Sequence, residues 1–399
     1  MPLPLYVLAL AVFAMGTSEF MLAGLLPALA ADLGVTVATA GTLTSAYAIG
    51  MVVGAPLMAV LVRDRSGRSG LLGFVLVFLA AHALAATTTR FPVLFAARVV
   101  AAFANAGFLA LALTTAAALV PADRTGRAIG VLLSGTTAAM VAGVPGGSLL
   151  GQQLGWRAAF WAVALACLPA ALGIMTCLPK HRGPAGGSGG TERAAFRLPL
   201  RAELSRLGQA PVLLIVLLTA LVNAGTFAGL TFLAPVVTGT AGLPASWVPV
   251  TLMLFGVGSF LGVSAAGRLS DRRPGLVLGL GGPLLPVGWA ALALLADRPA
   301  PLLLLVTAQG ALSFAVGGTL ITRILHRAAG APTLAGATAT AALNIGAVAG
   351  PVLGGVALDT AAGPLGPLWA SGSLAALAVL LALPLRAALV PDRSGRPLR

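Results

Sequence analysis

The sequence predicts an all-α polytopic membrane protein: about twelve transmembrane helices in two six-helix halves that repeat in parallel. Three observations predict it. Of the 399 residues, 58% are hydrophobic and only 9% are charged, against about 25% charged in soluble domains, and the mean hydropathy is +1.01. The apolar residues gather into about twelve runs, each near the ~20 residues that cross a bilayer. Landmarks of the first six runs return in the second six at an offset close to 207 residues.

The spans predicted in chain order are 4–28, 39–62, 70–88, 92–119, 127–150, 158–178, 211–236, 247–269, 275–296, 301–323, 332–357 and 364–388. Each must be a helix, because lipid offers the backbone no partner and the short alternating strands of a barrel are absent. The first run is too long for a cleavable signal peptide and is kept as a span. The longest polar interruption carries Lys180, Arg182, Arg193, Arg197, Arg201 and Arg206 with the linker Gly186-Gly187-Ser188-Gly189-Gly190. It sets the predicted units: an N-terminal half over 1–178, a cytoplasmic central loop over 179–210, a C-terminal half over 211–390 and a cytoplasmic tail over 391–399.

Charge fixes the orientation. With a cytoplasmic N-terminus, twenty Lys and Arg residues fall on the inside, three (Arg90, Arg157 and Arg298) on the outside, and Arg98 within a span. That is the positive-inside distribution. The net charge of +14 therefore reflects topology and gives no nucleic-acid partner, since no soluble basic module carries it. The expected location is the bacterial plasma membrane, multi-pass, with both termini cytoplasmic. Cys167 and Cys177 lie ten residues apart on one helix, roughly 15 Å, too far for a disulfide. His82, His181 and His326 share no metal-ligand spacing. The chain has no Gly-x-x-x-x-Gly-Lys-Ser/Thr loop to cradle a nucleotide and no stretch long enough for a catalytic domain. No enzyme activity, cofactor or metal is expected.

The repeat pairs Gly16-Thr17 with Gly225-Thr226, Asp64-Arg65 with Asp271-Arg272, and Pro145-Gly146-Gly147 with Gly350-Pro351. Six spans per half means both halves enter the membrane from one side, the parallel repeat of two-halved secondary transporters, which bind substrate at the midplane and rock for access. The position matching Glu19 is Ala228, so ionisable machinery is confined to one half.

Glu19 and Arg98 are the two formal charges at membrane depth. A carboxylate there costs roughly 2.5–3.5 kcal/mol and marks a proton or ion site or a hydrogen-bonding helix contact. Glu19 lies roughly 5 Å, and Arg98 roughly 10 Å, outward of the centres of their spans. Their similar depth makes them a candidate pair, either for proton coupling or as a static staple. Asn105, Asn223 and Asn344 fall near helix centres and either ring a polar cavity or bond between helices. Phe20, Phe108 and Phe227 lie near the expected cavity and suit an aromatic molecule. Asp64, Arg65 and Arg68 in one cytoplasmic loop, and Asp271 and Arg272 in its repeat, form either a latch between halves or simple topology-setting charge. Gly143, Pro145, Gly146 and Gly147, with Gly350 and Pro351, read as packing and bending surfaces, because small residues admit close backbones and proline bends a helix.

These motifs resemble the major facilitator superfamily, and within it the twelve-helix drug:proton antiporters. Asp64-Arg65-Ser66-Gly67-Arg68 and the stretch from Gly267 to Arg273 resemble the family's two loop motifs, although Val60 replaces the usual glycine. Arg98 with Gly107 resembles the helix 4 motif, whose arginine the family associates with proton translocation. Gly143-Val144-Pro145-Gly146-Gly147 resembles the helix 5 antiporter motif, and Gly155-Trp156-Arg157 with Phe160 the start of helix 6. Met15-Gly16-Thr17-Ser18-Glu19-Phe20, Ala104-Asn105-Ala106-Gly107-Phe108-Leu109 and Leu133-Ser134-Gly135-Thr136-Thr137 are similar to chloramphenicol-resistance exporters of high-GC bacteria. The resemblance implies proton-driven export of chloramphenicol or a similar amphenicol by a monomer, with a small-molecule drug and protons as partners. Export of another drug, a sugar or a metabolite stays open, as does a non-transporting sensor or scaffold.

Overall fold

The computed structural model describes residues 2–61, 67–121, 124–178, 208–269, 274–327 and 335–383. Twelve helices among them are long and apolar enough to cross a membrane: α1 Leu3–Gly24, α2 Val37–Ala55, α3 Gly67–Thr87, α4 Phe91–Ala116, α5 Ala128–Leu154, α6 Trp156–Cys177, α7 Ala210–Thr231, α8 Trp247–Ala266, α9 Val277–Leu294, α10 Pro299–Arg327, α11 Thr338–Leu358 and α12 Gly363–Ala382. No strand occurs among the described residues. Large apolar side chains such as Leu165, Leu172, Val287, Leu304, Val356 and Leu380 point outward and stay exposed. On a soluble protein this surface would aggregate; on a twelve-span protein it faces lipid.

Each set of six helices has its own core. Leu5, Leu8, Phe78, Phe108, Phe160 and Ile174 belong to the first, and Ile215, Leu218, Trp289, Leu292 and Val306 to the second. Small residues set the closest approaches. A Cβ on Gly143 would overlap Thr17 of α1, and one on Gly350 would overlap the Ala224 carbonyl of α7. The two proline-glycine stretches therefore pack α5 onto α1 and α11 onto α7. Gly147 approaches Met21, whereas Gly146 faces open space. The expected bend differs between the repeats. α5 widens into a π-helical turn at Ala139–Gly143, just before Pro145, while α11 passes through Pro351 as one uninterrupted helix. Pro351 is buried, and α11 is packed against both α7 and α2.

The halves meet at one end of the bundle, the end bearing the α1–α2 and α11–α12 connections. Ser45 of α2 donates to the Val348 carbonyl of α11 at 2.8 Å. Gly355 of α11 lies against Ala38, and Gly256 of α8 against the backbone of Met140 and Val141 in α5. Gln152 donates to the Ala245 carbonyl at 2.9 Å. Toward their opposite ends α2 and α8 turn to partners in their own halves. Gly50 and Gly54 meet α4 at Val99, Ala102, Phe103 and Ala106, and Gly258 and Gly262 meet the α10 carbonyls of Thr307 and Ala311.

A second clamp lies beyond the end of α1. Asp32, in the short helix Leu26–Leu33, accepts from Trp156 Nε1 at 3.1 Å and pairs with Arg157. Arg157 also donates to the Thr88 carbonyl. Gly155, at φ 84° and ψ 155°, makes the sharp α5–α6 turn that presents both side chains. Arg157, with help from Trp156, holds the Asp32 carboxyl below the usual carboxylate range.

Two outcomes follow from this packing. Gly262→Val drives a side chain into the Ala311 carbonyl and lowers stability by about 1–3 kcal/mol, read as a lower Tm in detergent. The Asp32 clamp is fully present above the ordinary aspartate pKa of about 4 and is lost as pH falls through its lowered value in the folded protein. The Tm gap between the unsubstituted protein and Asp32→Asn is therefore flat from pH 7 to about pH 5 and closes as pH falls below the ordinary aspartate value of about 4.

Candidate functional site

The buried charge on α4 organises the site. Arg98 is 1% exposed. Its Nη1 donates to both the carbonyl and the hydroxyl of Ser18, at 2.9 and 2.7 Å. Its Nε reaches the Leu43 carbonyl at 3.5 Å, and the guanidinium lies over the Tyr47 ring, 4.4 Å from its centroid. One side chain thus ties α4 to α1 and α2. The Ser18 carbonyl is available because α1 tightens from an α-helix to a 3-10 turn at Met21–Gly24, which frees the last carbonyls of the α-helical part.

The Ser18 hydroxyl also lies 2.6 Å from His82 Nε2, and His82 Nδ1 lies 2.9 Å from the Phe78 carbonyl. The carbonyl can only accept, so Nδ1 carries the ring proton and Nε2 accepts from Ser18. The imidazole stacks on Phe78 at 4.2 Å and leans on Phe160 at 5.9 Å. Four helices therefore meet in one polar cluster inside an apolar core: Ser18 on α1, Tyr47 on α2, His82 on α3 and Arg98 on α4.

The candidate pair of Arg98 and Glu19 is not closed by a direct bond. No ion pair joins them among the described residues; the guanidinium bonds Ser18, one residue before. Neighbouring residues point about 100° apart around a helix. Ser18 therefore faces α4 and is fully buried, while Glu19 stands half-buried on another face. Beside it Phe20 meets Phe227 of α7 across the halves, with ring centroids 5.9 Å apart. Ala48 and Ala347 complete this small apolar contact.

The other expected cavity residues separate. Phe108 is fully buried in the first core. Asn105 is buried and directs Nδ2 to Met51 Sδ of α2 at 3.8 Å. Asn223 donates to the Leu343 carbonyl of α11 at 2.6 Å, and Asn344 returns to the Thr340 carbonyl of its own helix at 2.9 Å. Of the expected latch, Arg68 donates to the Leu178 carbonyl at the end of α6, within its own half. Asp64, Arg65, Asp271 and Arg272 lie outside the described residues. An apolar cavity of about 310 Å³ opens between α7, α9, α10 and α12, lined by Leu218, Val222, Gly279, Val316 and Ala378 among others, with no ionisable side chain.

Sequence reasoning missed Ser18, Tyr47 and His82. The available signal was polarity at membrane depth: a histidine in an apolar span needs a partner as a charge does, and α3 and α4 are consecutive antiparallel spans.

Comparison with known proteins places this geometry in context. The family model described as Major Facilitator Superfamily matches residues 8–340. The chain is 67% identical over 386 residues to a chloramphenicol resistance protein of Streptomyces lividans, covering 97% of each. It is 33% identical to the uncharacterized MFS-type transporter YtbD of Bacillus subtilis, over 94% of this chain and 93% of that protein. It is 32% identical to the inner membrane transport protein YdhP of Escherichia coli, over 90% of each. Among solved structures, a bacterial homolog of the human lysosomal transporter Spinster, in an inward-facing and unoccupied conformation, superposes with a TM-score of 0.75, covering 98% of this chain and 97% of that one at 18% identity.

Arg98→Lys replaces a planar fork by a single ammonium, which cannot reach Ser18 and Leu43 together while lying over Tyr47. The expected loss is about 1–3 kcal/mol, measured as a lower Tm in detergent.

Proposed function

This chain belongs to the major facilitator superfamily, whose members are transporters and not enzymes, and from that premise we propose that it exports chloramphenicol or a similar amphenicol in exchange for protons. The observation that carries the substrate is the 67% identity, over 97% of both chains, to a chloramphenicol resistance protein. The observation that supports proton exchange is Glu19, a half-buried carboxylic acid next to Ser18 of the Arg98 cluster and to Phe20, which meets Phe227 across the halves.

The membrane is the bacterial plasma membrane, with both termini in the cytoplasm as the arginine distribution favours. The protein acts as a monomer. In that orientation the end where α2 meets α11 and α5 meets α8 faces outward, and the end where α2 and α8 leave the opposite half faces the cytoplasm. This arrangement takes drug from the cytoplasm. Phe20 and Phe227 sit where an aromatic drug reaches the closed end. Asn105, Asn223 and Asn344 contribute amide oxygens, since their nitrogens are already bonded. Rocking of the halves at the α2–α11 and α5–α8 contacts opens the outer end. Glu19 takes a proton from outside and gives it up inside as drug binds, and Arg98 sets how readily it does so. Asp64, Arg65, Arg68, Asp271 and Arg272 latch the cytoplasmic end in the outward-open state.

Exchange of a neutral drug for one proton moves net charge. One pH unit is worth ~1.4 kcal/mol and 100 mV ~2.3 kcal/mol. Together, about 3.7 kcal/mol supports a drug gradient of several hundred-fold.

Chloramphenicol accumulation in a susceptible host tests this. The host expressing the protein accumulates less drug than the empty host, and a protonophore reverses the difference. Glu19→Gln collapses the several-hundred-fold capacity toward unity. Low accumulation that ignores the protonophore and Glu19→Gln rejects proton exchange, and no difference from the empty host rejects chloramphenicol.

A further inference from the structure

We propose that His82 is a positioning residue for proton coupling: through the Ser18 hydroxyl it holds Nη1 of Arg98 on Ser18 rather than in a direct ion pair with Glu19, which leaves that carboxyl able to take a proton. The inference rests on the proton role of Glu19 proposed above and adds two residues that role does not name.

A hydroxyl in a helix ordinarily bonds its own backbone. Thr17, Thr226, Ser259 and Ser371 each return their proton to the carbonyl four residues earlier on their own helix. Ser18 does not. Its hydroxyl lies 2.6 Å from His82 Nε2 and 2.7 Å from Arg98 Nη1. Arg98 can only donate, so Ser18 accepts from it and sends its own proton to His82. The acceptor nitrogen of His82 therefore fixes the rotor that presents the Ser18 oxygen to Arg98. His82 is itself fixed by the Phe78 carbonyl on one side and by the Phe78 and Phe160 rings on its faces.

Removing His82 returns the Ser18 hydroxyl to its own helix and releases one of the two Nη1 contacts. Arg98 already keeps Nη2 buried and without a hydrogen-bond partner, as is the Tyr47 hydroxyl nearby. A guanidinium freed at Nη1 turns toward the one acid beside it, Glu19. The titratable or charged groups on the elements packed around the cluster are Glu19 on α1, Tyr47 on α2, His82 on α3, Arg98 on α4 and Cys167 on α6. The part of α5 against α1 presents Thr136, Ala139 and Gly143. Among the described residues, Glu19 is thus the only acid positioned to answer. An arginine brought against a carboxylate favours its charged form, so Glu19 then protonates at lower pH.

The test is the pH profile of chloramphenicol transport in proteoliposomes at fixed voltage, from pH 5 to pH 9. His82→Ala and Ser18→Ala each move the midpoint to lower pH by about one unit. His82→Gln, whose amide oxygen can accept from Ser18, restores the original midpoint. In a Glu19→Gln background, neither alanine variant changes the profile. Should His82→Ala fail to fold, Ser18→Ala, which removes one oxygen and leaves almost no cavity, decides alone. An unmoved midpoint in the alanine variants, with Glu19→Gln flattening the profile, overturns the role of His82 and leaves the proton role of Glu19 intact. A profile unchanged by Glu19→Gln overturns both.

Discussion

A guanidinium cannot give up its proton inside a protein, and at membrane depth no solvent carries its charge. Much of the first half is arranged around that constraint at Arg98. α1 leaves α-helical geometry one turn past Ser18, which supplies a carbonyl. α2 supplies a second carbonyl at Leu43 and an aromatic face at Tyr47. α3 supplies His82, which turns the Ser18 hydroxyl to the charge. Neutral oxygens and a π-face surround the cation, so the one acid nearby is not consumed in neutralising it. In the proposed proton exchange this matters, because a carboxylate locked in an ion pair would resist protonation.

The cluster is tied to the surface through a run of rings. Phe78 stacks on His82, His82 touches Phe160, and Phe160 meets Trp156 edge-on at 5.6 Å. Trp156 bonds Asp32 at the clamp between α1 and α6. Side chains confined in this way have few alternative rotamers, which is how a buried hydrogen-bond network keeps a single geometry. Among the described residues the second half has no counterpart of Arg98 at the middle of a span; its buried arginine, Arg323, lies near the end of α10. Trp289 stands 207 residues after His82 and packs against Gly229. Gln309 of α10 supplies an amide that donates to the Leu285 carbonyl at 3.0 Å. An apolar ring and a neutral amide hold together the half that carries no acid on α7. The duplication thus preserves helix packing while the ionisable groups diverge.

Movement and sealing depend on a different physical feature, the absence of side chains. α5 and α11 each offer glycines to a first helix of their half, α1 and α7. Such backbone contacts carry no long side chains to interlock. α2 and α8 exchange partners along their length, meeting the opposite half near one end and their own half near the other. In the proposed transport cycle, two halves that touch at one end exchange that contact for one at the other end without repacking their cores. The π-helical turn in α5 at Ala139–Gly143, beside the contact with Gly256, concentrates the irregular backbone at the seam.

The sequence by itself determined the fold class, the number of spans, their approximate ends and the membership of the family. Lipid forces each apolar run of about twenty residues into a helix, and a parallel repeat of six spans leaves little freedom in how the halves are built. It also placed Arg98 and Glu19 at similar depth, because helical rise converts residue number into height. Only the tertiary structure decided what Arg98 touches. Depth is a one-dimensional quantity, whereas contact depends on the rotation of each helix about its axis. A rotation of one residue, about 100°, is the difference between Ser18 and Glu19. The same limit hid Tyr47 and His82, and it hid that three amides at one depth direct their nitrogens separately to Met51, Leu343 and Thr340. In an all-helical membrane protein height is written in the sequence, and azimuth is settled by packing.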